Sequence, residues 1–168
     1  MSSAPNLVYD IEVAGLPWEE VDEITRGYLM NKQRDDAARE SVRERTALFP
    51  GLGKVIAIGM WLVDEERGML LLEGDEEPEQ VWEKVSHSKI ERGSEAQILR
   101  RFWELVDPSG KGKRTRLVTF NGRGYDGPVL MTRSAQLSLL AVGPALHDLG
   151  DRARFAGLRP GAFSTLGS

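Results

Sequence analysis

A chain of 168 residues with 40% hydrophobic side chains has enough apolar content for one substantial core, and its 29% of charged residues is ordinary for a globular fold. The formal net charge of −4 argues against a broad electrostatic grip on nucleic acid, although carboxylates that hold divalent cations can still meet a phosphate. The absence of cysteine excludes disulfides and thiolate metal sites and suits a reducing compartment. Met1 to Pro5 has neither the basic start nor the apolar run of a secretory signal. No stretch approaches the roughly 18 to 20 apolar residues of a membrane span. A cytoplasmic protein with no membrane partner is expected.

In chain order, Asn6 to Val13 is apolar and β-branched around its acids and predicts a first strand. Trp18 to Leu48 is helical in pattern but heavily charged. Trp18, Val21, Ile24 and Tyr28 form a short apolar stripe, and a partly exposed, mobile helix or helix pair is expected there. Phe49-Pro50-Gly51-Leu52-Gly53 breaks it. Lys54 to Val63 predicts a strong strand, Asp64 to Gly68 a hairpin turn, and Met69 to Leu72 a returning strand. Gly74 to Gly93 is acidic and irregular, with a short helix over Val81 to Val85.

Ser94 followed by Gln97 is a capping-box signature, and Ile98, Leu99, Phe102, Trp103, Leu105 and Val106 keep helical spacing after it. That spacing assigns Phe102 and Trp103 to the core rather than to base stacking. Asp107 to Lys113 is a turn, Arg116 to Phe120 a fourth strand, Asn121 to Gly127 a loop, and Pro128 to Leu140 a helix. Ala145 to Leu149 suggests a short fifth strand, and Asp151 to Ser168 carries weak signals. The basic run from Lys111 to Arg116 is a phosphate contact or, more simply, a solvated turn. The order predicts an α/β fold with a mixed sheet flanked by helices.

Asp10 and Glu12 are two apart on a strand and share a face, with Ile11 on the other. Two adjacent carboxylates repel one another, and burial raises the pKa of at least one. A pair of hard divalent cations removes that penalty, and two such ions about 3.5–4 Å apart clamp both sides of a phosphoryl displacement. Asp-x-Glu also occurs at Asp64/Glu66 and Asp75/Glu77, both in turns, so only the strand-borne pair is informative. A second constellation, Thr119-Phe120-Asn121-Gly122-Arg123-Gly124-Tyr125-Asp126-Gly127-Pro128, follows a strand and opens a helix. Taken singly, Asn121-Gly122 is explained by a turn, Asp126 by a helix cap and Tyr125 by packing.

Leu7 to Glu12, Lys54 to Gly59 and Val118 to Leu130 together resemble the predicted 3′-to-5′ exonucleases related to the exonuclease domain of family-B DNA polymerases, in the DEDD superfamily. Asp10-Ile11-Glu12 resembles the first exonuclease motif, and Asn121-Gly122-Arg123-Gly124-Tyr125-Asp126 the second. The resemblance implies a ribonuclease H-like fold formed by a single domain over 1–168, with a helical insert at about 17–48. It also implies two divalent cations, Mg²⁺ or Mn²⁺, held by Asp10, Glu12 and Asp126 as catalytic and metal residues. Asn121 and Tyr125 would bind substrate, the 3′ end of single-stranded nucleic acid, with DNA favoured. The product would be nucleoside 5′-monophosphates.

The family's third motif, a Tyr or His shortly before a fourth acid on a late helix, has no counterpart in the sequence. The domain is therefore expected to be incomplete at its C-terminus, with C-terminal helices missing and apolar surface exposed there. His147, Asp148 and Asp151 lie too close behind the second motif to replace the fourth acid. A homo-oligomer or a completing subunit would supply it. The alternative is a catalytically degenerate nucleic-acid-binding or interaction module on the same fold.

Overall fold

The computed structural model describes residues 5–75, 87–107 and 115–139, together with the backbone of 156–158. Six described strands form one mixed sheet: β1 (Asn6–Gly15), β2 (Gly53–Leu62), β3 (Arg67–Glu73), β4 (Ser88–Gly93), β5 (Arg116–Phe120) and β6 (Ala156–Leu158). Their order across the sheet is β4-β3-β2-β1-β5-β6. β1, β2 and β3 are successive antiparallel neighbours, while β4 joins β3, β5 joins β1 and β6 joins β5 in parallel. The chain therefore builds outward to one edge, then returns to the far side of β1. This is the mixed α/β sheet that the order of elements predicted, and it is ribonuclease H-like, as the resemblance implied.

The return is made by helix α3 (Glu95–Val106), whose capping box forms as the Ser94/Gln97 spacing requires. Leu7, Tyr9 and Ile11 of β1 face α3 and α4 (Asp126–Gln136) and are buried with Val55, Ile58, Met60, Leu71 and Leu117. Phe102 is fully buried at the centre, stacked at a tilt on Tyr9 and edge-on to Trp103. Both aromatics thus serve the core, as their helical spacing indicated. The Trp103 indole donates to Ser134 Oγ at 2.8 Å and links the two helices. On the other sheet face Val8, Trp61 and Phe120 are exposed.

Two of the expected elements after β3 differ in extent. The acidic stretch ending at Gly93 is not irregular throughout, because Ser88–Gly93 is strand β4. It has little apolar alternation because it lies at the sheet's end and is held by backbone pairing to β3 and by ion pairs, Glu91 accepting from Arg101 and Lys89. The helix after the second constellation begins at Asp126 and ends at Gln136, two residues earlier and four earlier than the pattern implied. Pro128 lies in its first turn, where a missing N–H costs nothing. The suggested helix over Val81 to Val85 and strand over Ala145 to Leu149 lie outside the described residues, as does most of the basic run from Lys111. The described strand that pairs with β5 on its far side is Ala156–Leu158.

The charged region before β2 is a helix pair, α1 (Glu23–Asn31) and α2 (Asp36–Glu44), capped by Asp22 and Asp35, which accept from Thr25 N and Ala38 N. Its buried residues are Val21, Leu29 and Val42, whereas Ile24 and Tyr28 are exposed. The expected stripe fails because Trp18–Glu20 forms a separate 3-10 turn, which breaks the helical phase before α1 starts.

The elements around β2 are locked by one carboxylate. Glu95, buried in the first turn of α3, accepts from Val55 N at 2.8 Å and from Arg133 of α4 through Nε at 2.8 Å and Nη2 at 2.6 Å. Removing one partner of a buried pair strands the other charge and costs about 3–5 kcal/mol. Arg133→Met is therefore expected to lower stability by about 3 kcal/mol, measured by urea unfolding.

Candidate active site

β1 and β5 are parallel neighbours from which the chain departs in different directions, and such a switch in a sheet leaves a crevice at the carboxyl ends of the strands. Glu12 lies near that end of β1, and Asn121 to Asp126 lies just beyond that end of β5. The β1–β2 ladder shifts register between Glu12 and Val13, an irregularity of the kind that re-aims side chains beside functional sites.

Asp10 and Glu12 do share a face, as their spacing required, and both are exposed. The buried acid of the three is Asp126, which is 4% exposed. The reason is strand parity. The same alternation that buries Leu7, Tyr9 and Ile11 against the helices turns the acids between them toward solvent. Burial pushes the Asp126 carboxyl above the usual carboxylate range, and the negative charge of Asp10 adds to the effect, while a hydrogen bond from Thr119 opposes it. Asp126 is not the helix cap: Tyr125 occupies that position, and no side chain caps the helix. The Asp126 carboxylate instead accepts from the buried Thr119 hydroxyl.

The loop between them is shaped by close approaches. Asn121 takes a left-handed conformation with φ 54°, which asparagine tolerates better than most residues, and its carbonyl accepts from Gly124 N and Tyr125 N. A Cβ on Gly122 would overlap the Thr119 side chain, and one on Gly124 would sit 2.6 Å from Asn121 Oδ1. Glycine at 122 thus lets the loop close over Thr119, the residue that orients Asp126. The Asn121 side chain is exposed. Tyr125 is half-buried, and its hydroxyl donates to Ala47 O at 2.6 Å, tying the end of the helical insert to this loop. Burial raises the Tyr125 phenol, with Asp126 and Glu12 adding to the rise.

The donor chemistry of Asp10, Glu12 and Asp126 fits a hard divalent cation: all three offer oxygen, and Asp126 is electrostatically coupled to Asp10. Among the described residues, no three acids or histidines are gathered closely enough to hold an ion. Asp126 is buried on Thr119, whereas Asp10 and Glu12 are exposed. Asp64 has a structural task, accepting from Asn6 N at 3.0 Å. His147, Asp148 and Asp151 lie outside the described residues. Sequence reasoning missed Thr119 and Tyr9 as neighbours of Asp126. The parity of β5 and β1, which places both on the helix-facing side, was the available signal.

A ribonuclease H-like mixed sheet with acids near the carboxyl ends of two adjacent parallel strands is an arrangement shared with nuclease-type domains. The family model described as a predicted 3′-5′ exonuclease related to the exonuclease domain of PolB matches residues 51–156, more than half of the chain. The chain belongs to this family. The matched span holds the loop from Asn121 to Asp126, and Asp10 and Glu12 precede it. No curated protein matches the chain. No described helix is long and apolar enough to cross a membrane.

Two consequences can be measured. Gly122→Ala is expected to lower stability by about 1–3 kcal/mol in urea unfolding, because the added methyl must displace Thr119. For Asp126 the folded state binds its proton more tightly than the unfolded state does. Its contribution to stability is therefore lost as pH rises from the unfolded value, about 3.9, through the higher folded one. Asp126→Asn is expected to be more stable than wild type at pH 7 without added metal, with the gain vanishing below about pH 4 in a pH series of thermal melts.

Proposed function

We propose that this protein is a metal-dependent 3′-to-5′ exonuclease that hydrolyses single-stranded nucleic acid, DNA in preference, to nucleoside 5′-monophosphates. The observation that carries the proposal is the placement of the exposed pair Asp10/Glu12 on β1 and of the buried Asp126 just beyond its parallel neighbour β5, near the switch point of the sheet. Membership of a family of predicted 3′-5′ exonucleases supports the reaction type.

In this reading Asp10, Glu12 and Asp126 hold Mg²⁺ or Mn²⁺, which when bound supplies charge neutralisation and an acidified water. Asp10 and Glu12 present their carboxylates to solvent, where a phosphodiester can approach. Asp126, which accepts from Thr119, would complete the ligand set, and the cation's positive charge would favour its ionised form against the burial that raises it. The exposed Asn121 contacts the terminal nucleotide. Tyr125, anchored on Ala47, walls the cleft and sets the position of the helical insert beside it. Fixed positioning of this kind supplies much of the rate in phosphoryl chemistry.

A second reading is a non-catalytic nucleic-acid-binding or interaction module on the same fold. The observation in its favour is that no three acids are gathered among the described residues.

The test is degradation of a 5′-labelled single-stranded oligonucleotide with Mn²⁺. A 3′-to-5′ ladder is expected from wild type, with a loss of at least about 100-fold in Asp10→Ala and Asp126→Ala. Binding of the oligonucleotide without any ladder, by protein whose folding is verified, selects the second reading.

A further inference from the structure

Strand β4 ends the sheet, and α3 packs beside it. Between them lies a cleft of about 220 Å³, lined by Glu91 and Arg92 of β4 and by Gln97, Arg100, Arg101 and Glu104 of α3. That volume is several times the roughly 30 Å³ that one water molecule occupies in the liquid. Arginine keeps its charge at every pH a folded protein meets, so three guanidinium groups lining one cleft need acceptors.

The two carboxylates are already engaged. Arg101 donates to Glu91 through Nε at 2.8 Å and Nη2 at 3.3 Å and reaches Glu104 at 3.4 Å, while Lys89 donates to Glu91 at 2.8 Å. Two arginines are left over. Among the described residues neither Arg92 nor Arg100 has a hydrogen-bond or ion-pair partner, and the Arg92 Nε is buried. A buried N–H on a permanent cation is a costly group to leave unmatched. The Arg92 side chain as a whole is only partly buried, so a solute can reach it. Gln97 offers a further donor. Its Oε1 accepts from Ser94 N at 2.7 Å in the capping box, which fixes the amide, and its Nε2 has no partner among the described residues.

We propose that this cleft binds a phosphate group, with Arg92 and Arg100 donating to its oxygens and the Gln97 amide adding a neutral donor. Planar guanidinium groups match phosphate oxygens in paired hydrogen bonds, and a phosphate has enough acceptors for several donors at once. Glu91 and Glu104 stay with Arg101 and Lys89, so the phosphate meets the cations that have no carboxylate of their own. β4 lies three strand spacings from β1, on the order of 14 Å, so the site is separate from Asp10 and Glu12 and draws on no metal there. A free phosphate and a phosphodiester of single-stranded nucleic acid present the same oxygens, and the experiment separates them.

The whole chain in EDTA is titrated with inorganic phosphate in thermal melts, against chloride of equal ionic strength, and with a labelled single-stranded oligonucleotide by fluorescence anisotropy. Phosphate is expected to raise the wild-type Tm more than it raises that of Arg92→Met. Because phosphate also stabilises proteins generally by exclusion from their surface, the difference between the two proteins is the quantity read. The variant is expected to bind phosphate at least about tenfold more weakly. Arg100→Met, at an exposed side chain, gives the same reading if Arg92→Met folds poorly. Oligonucleotide affinity that falls in the variants, with a salt slope smaller by about one, assigns the phosphate to nucleic acid. Loss of the phosphate effect with unchanged oligonucleotide binding assigns it to a free phosphate. Variants that match wild type in both arms overturn the proposal.

Discussion

The placement of Asp126 depends on a carboxylate that has no part in the chemistry. Glu95 opens α3, accepts the backbone N–H of Val55 in β2, and receives a forked pair of hydrogen bonds from Arg133 in α4. Three elements meet at one buried charge. Glu95 further raises the proton affinity of the Arg133 guanidinium, and Gln136 extends the network by accepting from Arg133 and donating to Gly51 O. A buried ion pair is a weak source of net stability against a hydrophobic substitute, but its geometry is demanding. It fixes α4 over the sheet, and with α4 it fixes Asp126, the helix's first residue.

The site then follows from how burial is divided across β1. One strand serves two solvents. Its odd positions from Leu7 to Ile11 close the core beneath α3, and its acids at 10 and 12 stand on the opposite face in water. Had both acids been buried, repulsion and desolvation would have raised the cost of the fold before any ligand arrived. The desolvation is confined to Asp126, where Thr119 offsets part of it. The result is an asymmetric set of carboxylates: two accessible, and one withheld beneath the first turn of a helix whose N-terminal end favours negative charge.

The helical insert takes part through its end rather than through its helices. Thr46 donates to Leu16 O at 2.7 Å, and Ala47 O accepts from Tyr125, so the turn after α2 is stitched both to the end of β1 and to the loop carrying Asp126. α1 and α2 project from this anchor with Ile24 and Tyr28 exposed, and Lys32 sits over the Tyr28 ring at 4.0 Å from its centroid. The insert is thereby tied to the loop carrying Asp126 at little cost to the core.

The sequence by itself determined what depends on short-range periodicity. Alternation in β1 put Asp10 and Glu12 on one face, the Ser94/Gln97 box started α3, and 3.6-residue spacing sent Phe102 and Trp103 inward. The loop from Asn121 to Asp126, with its glycines, was also recognisable, because close backbone approach leaves few residue choices. Strand β4 was hidden, since its polar residues are held by backbone hydrogen bonds and ion pairs that leave no period-two apolar signal. Only the tertiary structure decided that Asp126 is the buried acid, that Thr119 orients it and that Tyr9 lies beside them. Those facts depend on which residues β1 and β5 bring into register across a separation of more than a hundred positions, and on a helix fixed by Glu95. No local pattern encodes a lateral neighbour, because its identity is set by how separate segments pack.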